Sequence, residues 1–448
     1  MRIVQDAVAL AIESLSWMEL EGLSERTAFA RASKQLGITR TDQLRTAQLL
    51  ILETTRRRNL IDYLIQKAIG GQSDIDSIQH GIASFLRLFC YWTKFHRADD
   101  RDVTRILHAA RSTLGWRVLQ PMEIVLGRIL ALDIVDEMKE LPHDEAVALS
   151  MFHPAWFVSV STFLLGRPAA FKLMQRNAQR ASSYIRINTL LGNEEACRRE
   201  IEEAGIEVEP VQNLPLAFKV LSCKRPIVQT KPYRRGGIVI QDKASILASV
   251  LASPRPGDSV LDVCAAPGAK TAHLAQLMEN KGAIYSIDKS SARMSFWRRE
   301  VSRLGVRSAH PLLADASKPL PTNMQFNVVL LDPPCSNTGT FWKSPAEKWS
   351  VTPERVHALA RIQRAMLENA SRFVREGGTL VYSTCSILAE ENERVVNSFL
   401  AANPDFRAVD SSPKIGLPGL YGSEMSQRLY PHIHDCNGHF LSKMKRTD

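Results

Sequence analysis

Residues Ser259 to Thr271, SVLDVCAAPGAKT, decide the fold. A short aliphatic run breaks at a cysteine into alanine, proline and glycine, and a helical pattern follows. This is the sequence form of a strand, a tight turn and a helix. Four further apolar runs come in order, AIYSID, HPLLA, FNVVLLD and GTLVYST, with helical spacing between them. Apolar runs alternating with helices predict a mostly parallel sheet covered on both faces. A ligand of such a sheet sits outside the carboxyl ends of the strands, so the residues at those ends become the candidates for function.

The first end is CAAPGAKT, Cys264 to Thr271. Cys264, Ala265, Ala266, Pro267, Gly268, Ala269 and Lys270 form a turn of mostly small residues opening a helix, where backbone N–H groups face a ligand. A phosphate-binding P-loop is excluded, because Ala269 and Cys264 stand where its two glycines are needed, and GxGxxG is absent. The second run ends in Asp288, at the spacing from Gly268 at which an acid meets a ribose hydroxyl. A nucleoside without a phosphate cradle suits S-adenosylmethionine, with its methionyl part along the turn. Asp315, after the third run, is placed to read the adenine amino group. Each acid taken alone also reads as a helix cap or turn former.

The fourth and fifth runs end in cysteines: LLDPPCSNTG carries Asp332 and Cys335, and VYSTCSILAEENE carries Cys385. Together with LDVCAAPGAKT and IVIQDKAS (Ile238 to Ser245), these stretches resemble the RNA cytosine-5 methyltransferases of the Sun, Fmu and nucleolar-antigen family. RINTL (Arg186 to Leu190) and RLYPH (Arg428 to His432) are similar to that family's flanking motifs, and the likeness spans roughly residues 150 to 445. Two departures are Ala269, where the family usually has PGGK, and Asn337, where the usual run is CSGTG or CSSTG. Alanine fits the turn only with a negative φ.

Carbon 5 of cytosine is a poor nucleophile until a thiolate adds at carbon 6 and makes the ring an enamine. Ionising that thiol requires positive potential, for which Lys270 is the candidate. Asp332 suits the N3 and N4 edge of the base, with the backbone carbonyls after it gripping the amino group. Spacing does not decide which thiol attacks. The resemblance implies Cys385 as nucleophile and Cys335 as the group assisting elimination and release; the bland alternative is two inert buried thiols.

The 448-residue length implies several domains. Residues 1–140 carry apolar residues at helical spacing (Val4, Val8, Ala11, Ile12, Leu15) and resemble, more weakly, a NusB-like RNA-binding domain. Residues 150–235 read as a small α+β, RRM-like RNA-binding module, and 236–448 as the catalytic domain. The expected fold is therefore α/β: a Rossmann-like methyltransferase sheet behind an α+β module and an all-α amino-terminal domain.

Lys and Arg exceed Asp and Glu by 57 to 47. No acid occurs from Ala146 to Asn193 or from Pro210 to Gln241, while Arg167, Lys172, Arg176, Arg180, Arg186, Lys219, Lys224, Arg225, Lys231, Arg234 and Arg235 do occur there. One-signed stretches attract a polyanion, with Tyr184 and Tyr233 as stacking faces. The basic cluster TTRRRNL (Thr54 to Leu60) reads either as a phosphate contact or as a helix end complementing its dipole.

RNA is the expected partner, ribosomal before transfer RNA, with the target base unstacked. The other class of reading is an RNA-binding ribosome-assembly factor on the same fold, which would have no use for two poised thiols. A monomer is expected. Seven scattered cysteines, no apolar run of about 18 residues and an amino terminus without signal-peptide order predict reduced thiols, no membrane span and a cytoplasmic location. His432, His434, Cys436 and His439 match no closed zinc spacing, and no metal is expected.

Overall fold

The computed structural model describes residues 2–71, 74–96, 99–320 and 323–447, without the side chains of 2–4, so that of Val4 lies outside the described residues. The chain forms two units, one of residues 1–179 with 343–350 and one of residues 180–342 with 351–448.

The first unit is helical. The expected stripe of the helix Arg2–Glu21 is buried at Val8, Ala11, Ile12 and Leu15, and packs with Leu64, Ile65, Phe85, Leu86 and Phe89. The unit runs past the boundary at 140, because the chain continues as the helices His143–Ser150, Ala155–Leu165 and Arg167–Asn177, the last two within the acid-free stretch. It also contains Lys343–Ser350, a segment expected in the catalytic domain. Lys348 explains that placement. Its side chain is buried, and its ammonium donates to the carbonyls of Arg56 (2.9 Å) and Phe152 (2.7 Å). Trp349 donates its indole N–H to the Thr55 carbonyl at 2.7 Å, and the Ala346 N–H donates to Glu25 at 2.8 Å. Carbonyls at a helix end that lack intrahelical donors are thereby satisfied from a remote segment. Burial raises the Glu25 carboxyl to about 7 and pulls the Lys348 ammonium well down.

The TTRRRNL cluster belongs to this unit and reads as helix-end structure. Arg56 and Arg57 pair with Glu53, and Arg58 pairs with Glu19 and Asp62, so acids hold all three arginines.

The second unit begins with an antiparallel sheet of β1 (Ser183–Ile187), β2 (Ile206–Pro210), β3 (Ala217–Cys223) and β4 (Ile238–Ile240), in the order β2-β3-β1-β4. The helix Glu194–Glu203 buries Cys197 and Ile201 against it. Two residues assigned to nucleic acid by composition are interior. Tyr184 is buried, its hydroxyl donating to the Asp435 carbonyl at 2.5 Å, and Arg186 is fully buried against Gln241 and Gln276. Burial lowers the Arg186 guanidinium to about 9. Strand alternation turned both side chains inward, which charge counting ignores. Tyr233 lies under the Arg303 guanidinium, 4.2 Å from the ring centre.

The large sheet contains the five expected runs as β5 (Ser259–Val263), β6 (Ala283–Asp288), β7 (Ala309–Leu313), β8 (Phe326–Leu331) and β9 (Val374–Thr384). They are parallel, in the order β9-β8-β5-β6-β7. The edge beyond β9 is antiparallel: β10 (Phe406–Ala408), β11 (Leu417–Pro418), β12 (Gln427–Leu429) and β13 (His439–Arg446), with β13 against β9. The central strands are buried on both faces, as their continuous apolar runs require. Strand order reverses at β5, whose neighbours are β6 and β8, so the ends of β5, β6, β8 and β9 converge on one edge. Among the described residues, no single helix is long and apolar enough to cross a membrane.

Candidate active site

The turn after β5 is built for close approach of its backbone. Cys264 and Gly268 have positive φ (66° and 113°), and Ala269 opens the helix Ala269–Leu277 in right-handed geometry, which satisfies the condition set for alanine. A Cβ on Gly268 would lie 3.2 Å from Trp297 and 3.3 Å from Val301, a tight fit that adds to the preference for glycine set by φ. Below the turn, Thr271 donates to Asp262 at 2.5 Å and accepts from the Trp297 indole at 3.0 Å. Asp262 went unnoticed in the sequence because it sits inside an apolar strand. Burial raises its carboxyl to about 6, and raises the Cys264 thiol to about 12, which leaves that cysteine protonated.

Asp288, at the end of β6, is buried; its Oδ1 accepts the Ser290 N–H at 3.0 Å. Its Oδ2 accepts no hydrogen bond among the described residues, with the Arg293 guanidinium 3.4 Å away. A buried acceptor that faces a charge but makes no hydrogen bond is open to a ligand's donor, and a ribose hydroxyl is one. The residues present therefore fit an adenosyl group. Asp315 is partly exposed on the loop after β7, where the hydroxyl (2.6 Å) and N–H (3.0 Å) of Ser317 hold its carboxyl below the usual range. One face of its role as turn former is thus occupied.

The ends of β8 and β9 bring the reactive groups together. The Lys270 ammonium donates to Asp332 Oδ2 at 2.7 Å, and Ser383 donates to Asp332 Oδ1 at 3.1 Å. His439 Nε2 lies 2.9 Å from the Ser383 hydroxyl; burial, then the Lys270 charge, lowers its imidazole to about 4, so it is neutral. Burial pulls the Lys270 ammonium down, but Asp332 and Cys385 beside it outweigh burial, and its pKa lies above the ordinary value. Lys270 carries a full charge at neutral pH.

The two sulfurs, Cys335 Sγ and Cys385 Sγ, are 3.0 Å apart. A hydrogen bond with Cys385, reinforced by burial, pushes the Cys335 thiol well up and favours its protonated form. The loop carrying Cys335 is pinned from behind by Glu391, which accepts the Ser336 N–H at 2.8 Å and the Ser336 hydroxyl at 2.5 Å. Gln363 donates to Glu391 at 3.0 Å and to the Pro334 carbonyl at 2.9 Å. That carbonyl was expected to serve the base's amino group and is engaged here by the protein itself. The Cys385 loop is held by the Gly339 N–H on the Cys385 carbonyl (2.9 Å) and by the buried pair Arg428–Glu393, whose arginine also donates to the Ile387 carbonyl at 2.8 Å.

Sequence reading missed Ser383, His439, Glu391, Gln363 and Glu393 as supports. Only the ILAEENE stretch signalled any of them, by placing three acids beside a nucleophile loop. His432 and His434 lie on the short helix Pro431–His434, apart from His439 on β13.

With this geometry in view, comparison with known proteins is informative. The model of the 16S rRNA methyltransferase RsmB/F family matches residues 248–445, and that of the ferredoxin-like domain of RsmF/B-like methyltransferases matches residues 153–224. A probable ribosomal RNA small subunit methyltransferase B from Synechocystis is 30% identical over 452 residues, covering 98% of this chain and 100% of the relative. The chain belongs to the RsmB/F methyltransferase family. Members of the RsmB/F family are methyltransferases, and membership implies use of S-adenosylmethionine. A 25S rRNA (cytosine-C(5))-methyltransferase, nop2 of Schizosaccharomyces pombe, is 31% identical over 296 residues, 62% of this chain and 48% of that protein. The crystal structure of PH0851 superposes with a TM-score of 0.88 at 28% identity, covering 99% of both chains. The α+β module, read as RRM-like, is in family terms ferredoxin-like.

Proposed function

We propose that this RsmB/F methyltransferase methylates carbon 5 of a cytosine in ribosomal RNA, with Cys385 as nucleophile. The observation that carries the reading is the convergence of Lys270, Asp332, Cys335 and Cys385, joined by contacts of 2.7 Å (Lys270 to Asp332) and 3.0 Å (sulfur to sulfur). A pure RNA binder gains nothing from two adjoining thiols behind a charged pair.

Asp288 would hold the ribose of the cofactor, the turn Cys264–Lys270 would take its methionyl part, and Asp315 would read the adenine edge. S-adenosylmethionine supplies the methyl group as an electrophile. Asp332, oriented by Lys270 and Ser383, faces the N3 and N4 edge of the base, accepting from the N4 amino group and sharing a proton with N3 as electrons move onto that nitrogen. Cys385, in the field of Lys270, adds as thiolate to carbon 6, and the C5–C6 electron pair becomes available at carbon 5. Carbon 5 bonds to the methyl group as the bond from that methyl to the donor's sulfonium sulfur breaks, leaving S-adenosylhomocysteine. A base then removes the carbon 5 proton, the C5–C6 double bond reforms, and the sulfur leaves carbon 6. Cys335, kept protonated by its neighbour and by burial, delivers a proton to the departing thiolate.

The test is incubation with S-adenosylmethionine carrying a tritiated methyl group and either ribosomal or transfer RNA, followed by nucleoside analysis. Label in 5-methylcytidine from ribosomal RNA supports the proposal. RNA binding with no labelled nucleoside contradicts it.

A further inference from the structure

The one residue of the DPPCSNTG loop that departs from the resembled pattern without an explanation so far is Asn337. Its backbone φ is +58°, a left-handed conformation that asparagine tolerates and most residues do not. Its carbonyl accepts the N–H of Thr340 at 2.8 Å and the Thr340 hydroxyl at 2.9 Å, which fixes the turn. The neighbouring residues are equally held: Ser336 by Glu391, and Thr338 by the Ser386 hydroxyl at 3.0 Å and the Ile387 N–H at 3.1 Å. With backbone and neighbours so held, the Asn337 side chain points at the thiols. Its Oδ1 accepts from Cys385 Sγ at 2.8 Å and lies 3.7 Å from Cys335 Sγ.

We propose that Asn337 is a further catalytic residue, an uncharged amide that hydrogen-bonds the reacting sulfur of Cys385 in both of its protonation states. The inference rests on Cys385 being the nucleophile. A thiol donates one hydrogen, which the amide oxygen accepts. A thiolate only accepts, and a half-turn of the amide about its last torsion presents an NH2 group in place of the oxygen. Lys270 contributes charge near the sulfur, but the hydrogen bond its ammonium makes here is to Asp332 at 2.7 Å, not to Cys385. Asn337 supplies the hydrogen-bonding group at 2.8 Å from the sulfur, and it does so without a formal charge. The same amide, released by Cys385 once sulfur bonds to carbon 6, is within reach of Cys335, the thiol that carries the returning proton.

Two variants separate this role from a merely structural one. Asn337→Asp keeps size and tolerance of the left-handed φ but lacks the NH2 donor; Asn337→Gly keeps the turn and removes the side chain. The first readout is the rate at which iodoacetamide alkylates Cys385, followed by mass spectrometry in a Cys335→Ser background across pH, which needs no RNA. The second is kcat and KM for methyl transfer to RNA with Cys335 intact. Loss of one hydrogen bond to a charged group corresponds to about a tenfold to hundredfold fall in alkylation rate near pH 7. Asn337→Asp is expected to be slower than Asn337→Gly, kcat to fall in parallel with its acid limb moved to higher pH, and KM for RNA to stay within about twofold. Alkylation of both variants at the parent rate overturns the role of Asn337 and leaves Cys385 as nucleophile. Slowed alkylation with unchanged kcat overturns both assignments together.

Discussion

Asp288 offers the sharpest test of the cofactor site, because the structure separates the two oxygens of its carboxylate. Oδ1 is spent on the Ser290 N–H at 3.0 Å and holds the loop, whereas Oδ2 is buried and makes no hydrogen bond among the described residues, with only the Arg293 guanidinium paired to it at 3.4 Å. Asp288→Asn retains the first bond through its carbonyl oxygen and replaces the second acceptor with an NH2 group. A hydrogen bond to a charged acceptor contributes about 1.5–3 kcal/mol, which corresponds to roughly a 10- to 150-fold change in Kd. Asp288→Asn is expected near the lower figure, since a ribose hydroxyl can turn to accept from the NH2, and Asp288→Ala near the upper. The assay is isothermal titration with S-adenosylhomocysteine, accompanied by thermal unfolding with and without ligand. The ligand-free Tm of Asp288→Asn should match the parent's, while the ligand-induced rise shrinks, because stabilisation by a ligand scales with the logarithm of its concentration over Kd. A Kd within threefold of the parent for both variants would refute the assignment of Oδ2 to the ribose.

Three other outcomes follow from the same geometry. Gly268→Ala places a methyl group 3.2 Å from Trp297 at a φ of 113°, and is expected to cost about 1–3 kcal/mol in urea unfolding and to weaken cofactor binding. Arg428→Met leaves the buried Glu393 carboxylate without its partner and should cost about 3–5 kcal/mol, whereas a double replacement of both by apolar residues should recover part of that loss. His439, lowered by burial from 6.5 to about 4, stays neutral in the folded protein over a range where the unfolded chain takes up a proton. Its stability contribution is therefore complete above about pH 6.5 and is lost as pH falls toward about 4, by a quantity on the order of 3 kcal/mol, and Asn in its place should remove that slope from the difference between the two unfolding profiles.

The parallel sheet was legible because its central strands are buried on both faces and so read as aliphatic runs, and each of SVLDVC, AIYSID, HPLLA, FNVVLLD and GTLVYST holds a strand, although the edge strand β7 is largely exposed. The strand ends were legible for a related reason, since a topological rule ties function to them without any knowledge of contacts. What escaped the sequence depends on long-range partners. Arg186 and Tyr184 look like surface residues for nucleic acid until β1 turns them inward, toward Gln241 and Asp435. Lys348 looks like one more charge in a loop of the catalytic region, yet it is held by carbonyls of Arg56 and Phe152, nearly 300 and 200 positions earlier in the chain. Ser383 and His439 come together only because β13 pairs with β9, which no local pattern announces.

Covalent catalysis by one thiol with help from the other is tested most directly by trapping. Cys335→Ser and Cys385→Ser enzymes are each incubated with ribosomal RNA and S-adenosylmethionine, resolved on denaturing gels, and any protein–RNA species is digested and mapped by mass spectrometry. A denaturation-resistant adduct in Cys335→Ser, with a methylated cytosine nucleotide attached at Cys385, together with loss of both adduct and methyl transfer in Cys385→Ser, is the predicted result. An adduct carried by Cys335 in the Cys385→Ser enzyme would contradict it.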